Sequence, residues 1–237
     1  MTWIPLHLHT HYSLLDGLSK PSQVADRCAE LGYGACAMTD HGTISGAVSF
    51  VRAMREKKIK PILGCEFYLS HHAATTKEKT NRTLSHLVVL AKNKKGWDSL
   101  VTLVSRSNEN DVFYFKPRID LDILEQGNPD KNLISFSGHL GSDLANVLFT
   151  DWKKAYNSST VEEAQKLLKH NWLEQASNLA EKYQHIFHKG NFFIEIQLID
   201  QDNSPVSKLV AECLRLVSER SGIPSVATSD SHYPRRE

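Results

Sequence analysis

Short apolar runs of extended type alternate along this chain with longer stretches of helical period, and most of the apolar runs end on histidine, aspartate or glutamate. Strands separated by helices favour a mainly parallel sheet or barrel with helices outside it. The apolar runs are Trp3 to Leu8, Ala35 to Met38, Ile59 to Leu69, Leu87 to Ala91, Leu133 to Phe136, Phe192 to Ile196 and Ser225 to Ala227. Between them the helical period predicts helices over Pro21 to about Leu31, about Ser45 to Lys57, Trp97 to Ser107, a short piece after Gly141, Val161 to His188, and Ser204 to Ser221. In the first of these Val24, Cys28 and Leu31 share one face and Gly32 marks the stop. Eight β-α units in about 250 residues make the standard closed barrel. About seven units in 237 residues therefore predict an α/β fold with a distorted seven-stranded (β/α)7 barrel. Two polar stretches, His71 to Thr83 and Asp151 to Thr160, read as surface insertions, with Lys77-Glu78-Lys79 as a solvated charge run.

Parallel strands of such a barrel open their C-terminal ends on one face, where active sites are built. His7-Leu8-His9 follows the first run, Thr39-Asp40-His41 the second, Cys65-Glu66 the third, Ser137-Gly138-His139 the fifth and Asp230-Ser231-His232 the last. Residues two apart on a strand point the same way, so His7 and His9 can reach one cation. Imidazole with carboxylate suits zinc, iron or manganese. The ligands are too many for one four-coordinate ion, so two or three divalent transition metals are expected. Ions about 3.5–4 Å apart are a common device for phosphoryl hydrolysis.

Composition excludes more than it selects. The balance of 28 Lys+Arg and 27 Asp+Glu argues against a strong non-specific nucleic-acid binder, though not against local phosphate contacts. No apolar run approaches the ~18 residues of a membrane span, and Met1 to His7 lacks the basic-then-apolar pattern of a secretory signal. Cys28, Cys36, Cys65 and Cys213 form no C-x-x-C pair, which fits a cytoplasmic setting without disulfides.

The run His7-Leu8-His9-Thr10-His11-Tyr12-Ser13-Leu14-Leu15-Asp16-Gly17, with Thr39-Asp40-His41-Gly42, resembles the PHP domain, the polymerase and histidinol phosphatase family. Asp16, His86-Leu87-Val88-Val89-Leu90-Ala91-Lys92-Asn93, Lys116-Pro117-Arg118-Ile119-Asp120 and Ala227-Thr228-Ser229-Asp230-Ser231-His232-Tyr233 resemble its polymerase branch, found at the N-terminus of bacterial replicative DNA polymerase III alpha subunits. The resemblance implies nine ligand positions: His7, His9, Asp16, His41, Glu66, His86, His139, Asp230 and His232. It assigns His7, His9, Glu66 and Asp230 to a first metal, Glu66, His86 and His139 to a second, and Asp16, His41 and His232 to a third. His139 departs from the branch, which usually has cysteine there, and the strand reading puts His86 before its strand.

Glu66, His9 and Asp230 are the candidate catalytic ligands, and Lys116 and Arg118 are candidate phosphate clamps. Asp40 is a candidate to orient His41, and Glu195 is expected to give polar support rather than ligation. His71, His72, His170, His185 and His188 are expected at the surface, and His11 in the outer shell of the site or at the surface. The resemblance implies a metal-dependent phosphoesterase acting on a phosphodiester, in the first place the 3′ end of DNA as a 3′–5′ exonuclease. The chain is then a single domain over residues 1–237 of a larger replicase, with the rest of the polymerase and replisome subunits as partners and no membrane. A non-catalytic, metal-stabilised scaffold is the alternative, and a stand-alone phosphatase of the histidinol-phosphate type a second one.

Overall fold

The computed structural model describes residues 3–197 and 204–235; Met1 and Thr2 of the N-terminal segment read above lie outside them. Local chemistry explains most helix starts. Helix α1 (Pro21–Glu30) has proline at its first position and the Gln23 side chain accepting the Lys20 amide at 2.9 Å, while α2 (Ala47–Glu56) follows Gly46. Side-chain oxygens of Asn93, Asp120, Ser142, Asp151 and Thr160 accept first-turn amides of α3 (Lys94–Ser107), α4 (Leu121–Gly127), α5 (Asp143–Leu148), α6 (Trp152–Tyr156) and α7 (Val161–Gln165). Two longer helices follow, α8 (Trp172–Phe187) and α9 (Pro205–Ser221), the latter closed by Gly222 in the left-handed conformation.

The strands are β1 (Ala35–Met38), β2 (Lys60–Ser70), β3 (Leu84–Ala91), β4 (Arg118–Ile119), β5 (Leu133–Phe136), β6 (Phe192–Gln197) and β7 (Ser225–Thr228). Their order is β1-β2-β3-β5-β6-β7, with β4 on β2. The pairs β1–β2, β2–β4, β5–β6 and β6–β7 are parallel, as the alternation of strands and helices predicts.

The residues group into two compact units. The first holds residues 1–84, 88–134 and 229–237. Its core packs Val24, Ala25 and Cys28 of α1 and Phe50 and Met54 of α2 around Cys36 and Met38 of β1 and Leu8. Val24 and Cys28 lie on the face that the sequence period marks as apolar, whereas Leu31, expected on the same face, sits just past the helix end and is exposed. The second holds residues 85–87 and 135–228. There Tyr183 and Phe187 of α8 lie parallel to Phe192 of β6, with ring centroids 5.4 and 6.2 Å apart. The Tyr183 hydroxyl, otherwise buried, donates to Asp143 at 2.7 Å.

Four expectations are corrected. The run Trp3 to Leu8 is not a strand: Leu8 forms only an isolated bridge, to Ser231. Pro5 has no amide to give a ladder, and the Leu8 amide goes to Thr39 Oγ1 instead of a carbonyl. Strand β3 begins at Leu84, so His86 lies inside it rather than before it. Val161 to His188 is not one helix, because residues 167–169 take up extended pairing with 148–150. The segment Asp151 to Thr160 contains α6 rather than being wholly loop.

Arg118 is not a phosphate clamp. Its side chain is fully buried, and its guanidinium donates to the carbonyls of Ala74, Thr76, Asn81 and Val112 at 2.6–3.1 Å. It therefore fastens the His71 to Thr83 segment, whose Asn81 is also buried, while Lys77, Glu78 and Lys79 stay exposed as expected. A lysine cannot fork to four acceptors. Arg118→Lys should cost about 3 kcal/mol in a chemical unfolding titration, because buried carbonyls lose their donors. A midpoint and slope equal to the parent's would show that the fastening is unnecessary.

Candidate metal centre

Two stretches meet where the first unit collects its histidines. Residues 5–9 lie beside β1, with the Ala37 amide on Pro5 O at 2.8 Å and the Thr39 amide on Leu8 O at 2.9 Å. Segment 229–232 flanks them, with the His9 amide on Ser231 O at 2.8 Å and the Ser231 amide on His7 O at 3.2 Å. His7 and His9 bring their Nε2 atoms within 3.2 Å of each other, as their spacing predicts, and both are buried. Glu66 comes from the middle of β2, and a parallel bridge ties it to His41. Asp230 completes the group from a left-handed backbone (φ 43°), a conformation that aspartate tolerates better than most residues.

The donor atoms have the spacing of a coordination shell. His7 Nε2 lies 3.2 Å from His9 Nε2, 3.4 Å from Glu66 Oε1 and 3.3 Å from Asp230 Oδ1. His9 Nε2 lies 3.3 Å from both Glu66 Oε2 and Asp230 Oδ1. A tetrahedral ion with bonds of 2.0–2.1 Å has ligand-to-ligand edges of about 3.3 Å. Asp230 Oδ1 is buried and meets no hydrogen bond of good geometry, as expected of an oxygen aimed at a cation. The residues present thus fit a divalent metal.

A second group adjoins the first. Asp16 Oδ2 lies 2.8 Å from His41 Nε2 and 2.9 Å from His232 Nε2, and His41 Nδ1 lies 2.7 Å from Glu66 Oε2. His9, Asp16, His41 and His232 offer donor atoms close enough for one ion, as do His7, His9 and Glu66. Seven of the nine expected ligands thus come together in this unit. His86 and His139 belong to the other unit, His86 half-buried on β3 and His139 buried with Nε2 3.2 Å from Ser207 Oγ. Gly17 holds the Asp16 loop close, since a Cβ there would lie 2.2 Å from Thr10 O.

Asp40 does not orient His41 by a side-chain contact. Its fully buried carboxylate accepts from the Thr10 amide at 2.6 Å, the Thr10 hydroxyl at 2.8 Å and the Ser13 hydroxyl at 2.8 Å. With its proton on Asp40, Ser13 Oγ accepts from His9 Nδ1 at 3.0 Å and from the His41 amide at 3.1 Å. That chain leaves His9 Nε2 as the ligand atom, the usual part of an outer carboxylate around a metal-bound histidine. Ser13 and Thr10 carry no signal in the sequence beyond their place between His9 and Asp16. Glu195 is buried in the second unit and accepts from Gln197 and Thr228, the polar support expected of it. His11, His71, His72, His170, His185 and His188 are exposed, as expected.

The arrangement belongs to a class: a parallel α/β fold whose first unit gathers imidazoles and carboxylates at cation spacing. The chain belongs to the PHP domain family, which matches residues 5–198. It is 33% identical over 253 aligned residues to the DNA polymerase III subunit alpha of Chlamydia pneumoniae and 34% identical over 239 to that of Treponema pallidum. Those alignments cover 98% and 100% of this chain, which spans 18% of the length of either relative. A candidate metal-dependent phosphoesterase from Bifidobacterium adolescentis superposes with a TM-score of 0.53 at 14% identity, over 98% of this chain and 88% of that one. A two-domain Bacteroides vulgatus protein containing a predicted PHP-like metal-dependent phosphoesterase gives 0.52 at 15%, over 98% and 52%. These likenesses show the fold, consistent with the distorted seven-stranded barrel expected from the sequence. Among the described residues no helix is long and apolar enough to cross a membrane, and all four cysteines are buried free thiols.

Charge at the site predicts how the metal-free protein responds to pH. Burial opposes a charge on His9, but its close pairing with the Asp230 and Glu66 carboxylates outweighs it and pushes its pKa from 6.5 to about 9. Burial likewise opposes charge on Asp230, but His7 and His9 hold it at about 2, below the usual 3.8. A raised histidine stabilises the fold below its unfolded pKa and loses that contribution as pH rises through the folded value. Under chelator, the melting temperature should be highest from about pH 4 to 6.5 and fall as pH rises towards 9. It should also fall as pH drops from 4 towards 2. Metal-loaded protein should lack the alkaline fall, because its imidazoles are already neutral ligands. Equal alkaline profiles with and without chelator would contradict this account.

Proposed function

We propose that the chain is a metal-dependent phosphoesterase domain that hydrolyses phosphodiesters, with the 3′ end of DNA as its substrate. The observation that carries the reading is the clustering of His7, His9, Glu66 and Asp230 donors at 3.2–3.4 Å. Asp16, His41 and His232 would hold another cation beside it. Bound there, zinc, manganese or iron would act as a Lewis acid, polarising phosphoryl oxygens and making water ionise near neutral pH. The chain's own residues prepare that chemistry. Glu66 turns Oε1 to His7 and Oε2 to both His9 and His41, the geometry of a carboxylate that can serve two ions. The Asp40–Ser13 pair fixes the His9 ring, so the ligand need not reorganise as charge develops. Polymerase alpha relatives support DNA as the substrate and the rest of a polymerase chain as the partner, within the cytoplasm.

A second reading, a metal-stabilised docking module, draws on the exposed Leu14, Leu15 and Leu18 beside Asp16, since clustered apolar side chains mark contact surfaces. Activity decides between the two. Protein loaded in turn with zinc, manganese or iron is given a primer–template labelled at the 3′ end, and release of mononucleotides is followed. The expected result is metal-dependent shortening from the 3′ end, reduced roughly 100-fold or more in Asp230→Asn, since even outer-shell changes cost up to that much. No hydrolysis by any loaded form would overturn the enzyme reading.

A further inference from the structure

The donor cluster adjoins a groove that, of its residues, His41 lines. It has a volume of about 740 Å³, within the usual range for small-molecule sites, and is lined by Tyr12, Leu14, His41, Tyr68, Phe115 and Lys116 among others. Among the described residues no carboxylate lines it, and Lys116 is its one permanently charged side chain. A groove with that lining, continuous with a cluster suited to phosphoryl chemistry, favours an anionic ligand with an apolar or aromatic part.

The rim carries a more specific feature. Phe115 is 67% exposed and sits at φ 63°, a left-handed backbone that is costly for a bulky residue. It forms the apex of a tight turn in which the Tyr114 amide bonds Lys116 O at 3.3 Å. Its ring is held rather than loose: the Arg82 guanidinium stands 4.2 Å from the ring centroid, and Tyr114 packs edge-on at 4.7 Å. Folding thus keeps a large apolar ring in solvent on a strained turn and props it from behind. Next to it, Lys116 Nζ rests 4.1 Å from the Tyr68 ring, and that ring in turn stacks on His41 at 5.5 Å. A cation seated on a π face keeps its donors for an anion.

We propose that this groove is a nucleotide subsite, in which Phe115 stacks the base of a nucleotide at the DNA end and Lys116 contacts a backbone phosphate. The proposal rests on the DNA reading above and adds the residues that would grip the strand. Stacking on an aromatic ring accepts every base, so the subsite confers a preference for nucleic acid without sequence preference. A phosphate lies within reach of Lys116 while the strand end faces the cluster through His41, the residue shared by both. Tyr68 acts here as a positioning residue for Lys116.

Binding is measured under chelator, so that turnover plays no part, using the full chain with fluorescent oligothymidylate and an abasic oligomer of equal length. The parent should bind oligothymidylate roughly tenfold more tightly than the abasic strand, the lower part of the range for one stacked base. Phe115→Ala should bring oligothymidylate down to the abasic level, and Phe115→Trp should restore the difference. Lys116→Ala should weaken both strands alike and reduce the salt dependence. Melting temperatures of these exposed-site variants should match the parent's. Equal binding of the two strands by the parent, a tenfold difference that survives Phe115→Ala, or no binding of either strand would overturn the subsite. The two readings fail separately. A base preference without hydrolysis leaves the subsite and removes the exonuclease, whereas hydrolysis indifferent to Phe115→Ala does the reverse.

Discussion

Five donor-to-donor distances between 3.2 and 3.4 Å, among His7, His9, Glu66 and Asp230, set the constraint on which the rest of this structure depends. Two imidazole nitrogens and two carboxylates that close, mostly buried, have no low-energy arrangement of protons that satisfies them all. The charge a cation would bring appears in its absence as protons held on His9 up to about pH 9 and as Asp230 held ionised down to about pH 2. Keeping such groups together needs rigid backbone. The first unit supplies it by setting residues 5–9 between β1 and segment 229–232, with the Leu8–Ser231 and His41–Glu66 bridges as cross-ties.

The polar scaffolding behind the donors follows the same logic. Asp40, fully buried, is accounted for by Thr10 and Ser13, and Ser13 passes the constraint to His9 and to the His41 backbone. Each buried polar atom in that chain finds a partner, which lets a polar network sit in a protein interior. Strain is placed at the edge of the site: Asp230, Leu15 and Phe115 all carry positive φ without being glycine. Two of these, Leu15 and Phe115, are exposed apolar residues, so the strain maintains a surface rather than a core.

Much of this was legible in the sequence because it depends on local period. Ala35–Met38 and Leu133–Phe136 emerge with the bounds their apolar runs predict, and the His7-x-His9 spacing alone places both rings on one side. Features that depend on distant partners were not legible. Arg118 lies in a Lys-Pro-Arg run that reads as a surface anion site, and only the carbonyls of Ala74, Thr76, Asn81 and Val112 turn it into an internal fastening. Residues 167–169 keep helical composition but are drawn into pairing with 148–150, a tertiary preference that overrides propensity. Asp40 beside His41 invited a side-chain link to that histidine, yet its carboxylate faces Thr10 and Ser13, so adjacency in sequence misassigned its partner.

The central claim is that these donors form a metal shell, and an anomalous-scattering map from crystals of the zinc-loaded protein tests it most directly. The account predicts a peak inside the His7–His9–Glu66–Asp230 tetrahedron, about 2.0–2.1 Å from His7 Nε2, His9 Nε2, a Glu66 oxygen and Asp230 Oδ1. A map with no peak there, and with zinc only on exposed histidines such as His71 and His72, would contradict it.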